Sequence, residues 1–244
     1  MEAFRNNKKE TNFFKDFYTS CIEMPSTMLK LGIVQFFSWF AFFTMWSMAT
    51  PALTDHVYHS PAPIASNYNL KDAKQEEIVK SLDKKYNLAA DKVGSSMGMY
   101  GLSSMAFALL LTFYTSRYKI NRRNIHLGSL FLGGVGFLMM FYATPSSLKY
   151  CFILIGISWG SILSMPYAML SGSVNPAKMG MMMGLFNMFI VIPQIIAALG
   201  GINILYKLFG QETIFAMTLA GVSMLLGSIS TLLITDKQAI TDHE

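Results

Sequence analysis

The sequence predicts an all-α integral membrane protein with six transmembrane helices. Three observations lead there. Of the 244 residues, 52% are hydrophobic and only 14% are charged. Six apolar segments each approach the ~20 residues that cross the hydrocarbon core of a bilayer. Within those segments Lys30, at the edge of the first, is the only charged residue.

The amino terminus is polar and charged and lacks a short apolar core with a small-residue cleavage site, so no secretory signal peptide is read and the first span directs insertion. Ahead of that span, Asn12 to Met24 sets Phe13, Phe14, Phe17, Tyr18, Cys21 and Ile22 on one stripe of an amphipathic helix that ends before Pro25. Residues 1–27 are therefore expected to lie on the cytosolic membrane surface. A six-helix bundle over 28–235 follows. Its first helix is expected at 29–50, closed by Pro51, and an extracytoplasmic loop at 54–91 follows it. Within the loop, Pro61 and Pro63 mark an irregular stretch, and Asp72 to Tyr86 reads as a separate helix with Ile78, Leu82 and Tyr86 four residues apart, either solvated and touching the bundle by that stripe or lying over the outer mouth of a cavity. The remaining spans are expected at 94–116, 127–144, 150–171, 180–203 and 213–235, before a cytosolic tail at 236–244.

With six crossings both termini lie on one side. Arg5, Arg117, Arg122 and Arg123, with Lys8, Lys9, Lys15 and Lys119, fall on that side, which the positive-inside bias makes cytosolic. The lysines between Lys71 and Lys92 are interspersed with acids in a long loop and do not overturn the orientation. The net charge of +5 does not mark a nucleic-acid partner, because the basic residues flank membrane spans instead of forming a stripe with exposed stacking aromatics. Cys21 and Cys151 fall on opposite sides and are read as free thiols. His56, His59, His126 and His243 are read as lying in loops or at helix edges, with no metal-site spacing and no buried titratable group in any span. No metal or other cofactor is expected. Nor is an enzyme, since there is no nucleophile elbow, HExxH, P-loop or pair of intramembrane acids.

Gly94 and Gly98, Gly156 and Gly160, and Gly180 and Gly184 are small-xxx-small pairs that allow helix backbones to approach, and Gly133, Gly134 and Gly136 do the same for the third span. The candidate binding residues are polar or aromatic groups inside spans. Gln35 and Trp39 share a face of the first helix, Trp159 lies on the fourth, and Asn187 and Gln194 share a face of the fifth. Amides beside flat rings suit a sugar, whose hydroxyls alternate with apolar faces. Trp46 and Tyr167 compete with interfacial positions. Pro166 and Pro193 are candidate hinges, because each removes an intrahelical donor.

The segments QFFSWFAFFTMW (Gln35 to Trp46), GISWGSILSMPYAMLSG (Gly156 to Gly172) and GMMMGLFNMFIVIPQIIAALGG (Gly180 to Gly201) resemble, in order and spacing, helices seven, ten and eleven of the glycoside-pentoside-hexuronide cation symporters, in their sucrose and maltose branch. The resemblance implies the carboxy-terminal six-helix half of a major facilitator superfamily transporter, with residues 1–27 as the linker between halves. It further implies import of a glycoside with a coupling cation, a proton by expectation, in a bacterial inner membrane. The partners would be the sugar, the cation, the lipid bilayer and a missing amino-terminal half or a second copy. The loop SRYKINRRN (Ser116 to Asn124) resembles a degraded second copy of the superfamily's loop signature, keeping arginines but neither its acid nor its glycine. The family places its coupling acids chiefly in the other half, so this chain alone is not expected to perform coupled uptake. Two alternatives stand beside it: a self-assembling passive half-carrier, and a membrane assembly protein without transport activity.

Overall fold

In hydrocarbon every backbone N–H and C=O must be satisfied within its own segment, so long uncharged apolar runs fold as helices. The computed structural model describes residues 18–19, 21–201, 207 and 212–235, and among them all regular structure is helical. Most of the expected amphipathic stretch before Tyr18, the tail 236–244 and the end of the expected fifth span lie outside the described residues.

Among the described residues, six helices are long and apolar enough to cross a membrane. They are α1 (Ser26–His56), α2 (Ala73–Thr115), α3 (Arg122–Met139), α4 (Leu148–Ser171), α5 (Met179–Ile196) and α6 (Ile214–Ser230). Single 3-10 turns prolong α3 through Tyr142 and α6 through Leu233, and a π-helical turn, Ala197–Gly201, prolongs α5.

Two expectations about the first connection fail. Pro51 does not end α1, which runs on to His56. The residues beyond it, Ala52, Leu53 and Thr54, are fully buried, the Thr54 hydroxyl donates to the Thr50 carbonyl at 2.8 Å, and His56 Nε2 bonds the Phe141 carbonyl at 2.8 Å. That burial outweighs the donor which proline lacks. Nor is the helix expected at 72–86 separate from the second span. Both belong to α2, one helix of 43 residues capped by Asp72, whose carboxylate accepts from the Lys74 amide at 3.0 Å. The intervening Asn87 to Val93 holds neither glycine nor proline to break it. At 1.5 Å per residue α2 is about 65 Å long, roughly twice the bilayer core, so its polar first half projects beyond the membrane.

Helix α4 is the hub. Gly156 faces the Ser103 side chain and Tyr100 carbonyl of α2, and a methyl group on Gly160 would lie 3.0 Å from Phe107 Cδ1 and 3.1 Å from the Ser104 carbonyl. On another face, Ser158 fills the space that a side chain at Gly133 of α3 would need, and a methyl on Gly136 would meet the Cys151 carbonyl at 2.8 Å. Helices α3 and α6 meet through Gly134 and Gly221 in the same way. Hydroxyls supply directional links where lipid offers no hydrophobic drive: Ser223 donates to the Phe37 carbonyl at 2.8 Å, joining α6 to α1, and Ser228 to the Leu127 carbonyl at 2.9 Å, joining α6 to α3.

The other two glycine pairs do not pack as expected. Among the described residues, a side chain at Gly94, Gly98, Gly180 or Gly184 would meet nothing within 4 Å. These glycines lie on α2 and α5, the helices that the rest of the chain covers least; only Ala89, Val93 and Ser104 of α2 are buried. The two arginines that open α3 end on backbone. Arg122 donates to the Ala168 carbonyl in the last turn of α4 at 2.7 Å, and Arg123 to the Ile234 carbonyl after α6 at 3.4 Å. A cation at a helix carboxyl end is favourable.

Gly156→Val should therefore lower the stability of the chain by ~1–3 kcal/mol, whereas Gly94→Val and Gly180→Val should leave it within ~0.5 kcal/mol. Thermal unfolding of the purified chain in detergent compares the three.

Candidate functional site

Gln35, Trp39, Phe42 and Trp46 follow the four-three-four spacing that lays side chains along one face of α1. Trp159 reaches that face from α4, on a side of the hub distinct from Gly156 and Ser158. The ring centroids of Trp39 and Trp159 lie 5.5 Å apart, those of Trp46 and Trp159 5.3 Å, and those of Trp39 and Trp46 6.2 Å, all edge-to-face. Phe42 tilts against Trp159 at 4.7 Å and against Phe137 of α3 and Tyr100 of α2 at 6.1 and 6.5 Å. The three tryptophans of the chain thus form one cluster. Its base, Phe42, is buried, Trp39 and Trp159 are half-buried, and Trp46 is 40% exposed. Trp46, weighed above as an interfacial residue, belongs to the cluster. Its position seven residues after Trp39 was the sequence signal for that.

The same face carries unsatisfied donors. Gln35 is fully buried; its Oε1 accepts from the Ser38 hydroxyl at 3.4 Å, and its Nε2 has no partner. Trp39 Nε1, one turn along, is buried without a partner as well. Buried polar atoms are almost always paired, and each orphan costs about 1–3 kcal/mol. Gln35 Nε2 and Trp39 Nε1 are thus two buried N–H donors held without acceptors beside the aromatic cluster.

Asn187 and Gln194 stand apart from this cluster. Asn187 is exposed and makes no side-chain hydrogen bond among the described residues. Gln194 is half-buried and turns back on its own helix, donating to the Ile190 carbonyl at 3.1 Å. Helix α5 instead meets the bundle through aromatic rings. Phe189 packs over Gly32 of α1, and Phe186 lies 5.7 Å from Tyr167 of α4. Of the five expected binding residues, then, Gln35, Trp39 and Trp159 share one face, and no hydrogen bond or ring contact joins Asn187 or Gln194 to them. Pro166 and Pro193 lie buried inside unbroken helices, and the π-helical turn begins four residues after Pro193.

One expectation is overturned outright. His126 is not at a helix edge or in a loop but fully buried in α3, its Nδ1 2.8 Å from the Ser161 Oγ of α4 and its Nε2 without a partner. The physical reason is that α3 starts five residues earlier than expected, because Asn121 caps it by accepting from the Asn124 amide at 3.0 Å. That extra turn carries His126 into the bundle, on the face toward α4. Among the described residues it is the one buried histidine or charged side chain. Asn121 as a cap was the signal for it. No group of three His, Cys, Asp or Glu side chains suited to a metal occurs among the described residues.

The family model of the major facilitator superfamily matches residues 31–242. The chain belongs to the major facilitator superfamily. No curated protein matches it significantly. Superfamily membership makes this a multi-pass membrane protein of the transporter class.

Replacing Gln35 by Leu removes an orphan donor while nearly keeping its volume. The unfolding temperature of ligand-free Gln35→Leu should equal or exceed that of the wild type. Ser161→Ala should cost ~1–3 kcal/mol instead, because it leaves both ring nitrogens of His126 unpaired. Parallel thermal unfolding of the two variants checks both signs.

Proposed function

We propose that this chain is the carboxy-terminal half of a secondary active transporter importing a glycoside such as sucrose or maltose with a coupling cation, most simply a proton. The observation that carries the reading is the convergence of the chain's tryptophans around the unpaired N–H groups of Gln35 and Trp39. Aromatic faces stack on the apolar faces of sugar rings, and buried donors select ring hydroxyls. Gln35, Trp39, Trp159 and Trp46 line the path from α1 and α4. Asn187, exposed on α5, would join them only across a face that another unit covers.

The open glycine pairs on α2 and α5 support the reading as a half. Small-xxx-small stripes with no neighbour suit close approach by further helices, the missing half or a second copy of the chain. The bundle would then rock against that unit, exposing the site to each side in turn, with Pro166 and Pro193 as the points where α4 and α5 yield. The positive-inside bias of the arginines at the α2–α3 end supports a cytosolic position for that end and for both termini.

The test is uptake of radiolabelled sucrose and maltose into proteoliposomes under an inward proton gradient. The chain alone should accumulate neither. With the complementary six-helix unit present it should accumulate one of them, and Trp159→Ala or Gln35→Leu should lower that uptake on the order of tenfold or more, the loss of one to two good contacts. Accumulation by the chain alone would contradict the half reading, and full uptake by both variants would contradict the site. Equilibration without accumulation by crosslinked dimers would establish the passive half-carrier instead.

A further inference from the structure

Gln35, fully buried, lies between two aromatic contacts along one face of α1. One turn beyond it, Trp39 meets Trp159. One turn before it, at Gly32, the ring of Phe189 on α5 occupies the space that a side chain would take: a Cβ on Gly32 would lie 2.7 Å from Cγ and Cδ1 of that ring. Phe186 stands 6.5 Å from Phe189, and Tyr167 of α4 stands 5.7 Å from Phe186. These rings cover the α1 face on the side of Gln35 nearer the start of the helix.

A cover made this way is easily released. Glycine gives the ring a flat seat with no side chain to interlock, and Phe189 itself is half-buried. Four residues later Pro193 has no N–H, so the Phe189 carbonyl lacks its helical donor, and a helix bends readily at such a point. The next carbonyl, that of Ile190, takes a bond from the Gln194 side chain at 3.1 Å. Ahead of the ring, Gly180 and Gly184 meet no neighbour among the described residues. At the start of α5, Lys178 pairs with the Glu23 carboxylate just ahead of α1, and both side chains are about half exposed. Such pairs contribute little. The first half of α5 thus runs from a weak tie at one end to a proline at the other, fastened between them by its rings. We propose that Phe189 seated on Gly32 is a releasable seal over Gln35, and that Met179 to Phe189 swings off α1 about Pro193 to open this face toward the end of the bundle where α1 begins. What passes the seal rests on the transport reading above, but its opening is measured without any solute, so the sugar assignment can fail while the seal stands.

The experiment places Gln35→Cys in the full chain in nanodiscs and follows alkylation of residue 35 by a water-soluble maleimide. Peptide mass spectrometry separates that residue from Cys21 and Cys151. Adding Gly32→Ala pushes the ring from its seat and should speed alkylation on the order of tenfold or more, the effect of overpacking on a local opening. Adding Glu23→Gln, on an exposed residue that seats no ring, should speed it by up to about fivefold. Hydrogen exchange in the same samples should quicken in Met179 to Phe189 and stay unchanged in α3 and α6. Unchanged alkylation of residue 35 in both variants would overturn the seal. Exchange that quickens throughout the bundle in both would overturn it as well, because Phe189 would then be an ordinary packing residue and not the fastening of a separately moving segment.

Discussion

Gly156 and Gly160 bring the backbones of α4 and α2 together with no side chain between them, and the position of the candidate site depends on that approach. On a helix with 3.6 residues per turn, committing those two positions to α2 turns Trp159 toward α1 and Ser158 and Ser161 toward α3. The first direction assembles the tryptophan cluster. The second seats Ser158 under Gly133 and brings Ser161 to the ring of His126. One helix thus orients both the aromatic surface and the buried imidazole. In a bilayer, where apolar side chains gain nothing by leaving lipid for each other, such close contacts and the serine-to-carbonyl bonds of α6 supply the association that water would otherwise drive.

The bundle is uneven in a way that bears on function. Helices α1, α3, α4 and α6 bury about half of their apolar windows, whereas α2 buries only Ala89, Val93 and Ser104 and α5 rests on α1 through Phe189. Orphan donors at Gln35 and Trp39 add a cost that packing alone does not require. A self-contained bundle under no other constraint would have replaced the glutamine with leucine. Stability given up at those two atoms is intelligible where a solute with acceptor oxygens fills them during part of a cycle.

How much of this was legible in the sequence follows from which forces act. Spans with no internal charge announce themselves, because the bilayer penalises charge and unpaired backbone far more than any neighbouring contact compensates. Helix ends were harder to read. Pro51 and the stretch from Asn87 to Val93 were misread since tertiary burial at Leu53 and Thr54, and simple helix propensity across 87–93, decided the outcome. The same type of error hid His126, one turn inside a helix whose cap at Asn121 was overlooked. Pairing of the glycines was illegible for a different reason: a small-xxx-small motif shows that a helix can be approached, not which helix approaches it. Among the described residues, only Gly156 and Gly160 of the three pairs meet a partner. At the site, the spacing of Gln35, Trp39 and Trp46 was readable from α1, while the separation of Asn187 and Gln194 from them depended on how α5 docks.

Because the chain's three tryptophans all lie in the cluster, tryptophan emission excited selectively arises from the proposed sugar surface. The most direct measurement is a titration of the purified protein in nanodiscs with sucrose, maltose and mannitol, following tryptophan emission alongside equilibrium binding of the labelled sugars. The account predicts a saturable change in emission that tracks the binding of one glycoside and is absent with mannitol. Glycoside binding with unchanged emission, or no glycoside binding at all, would contradict the assignment of Trp39, Trp46 and Trp159 to a sugar path.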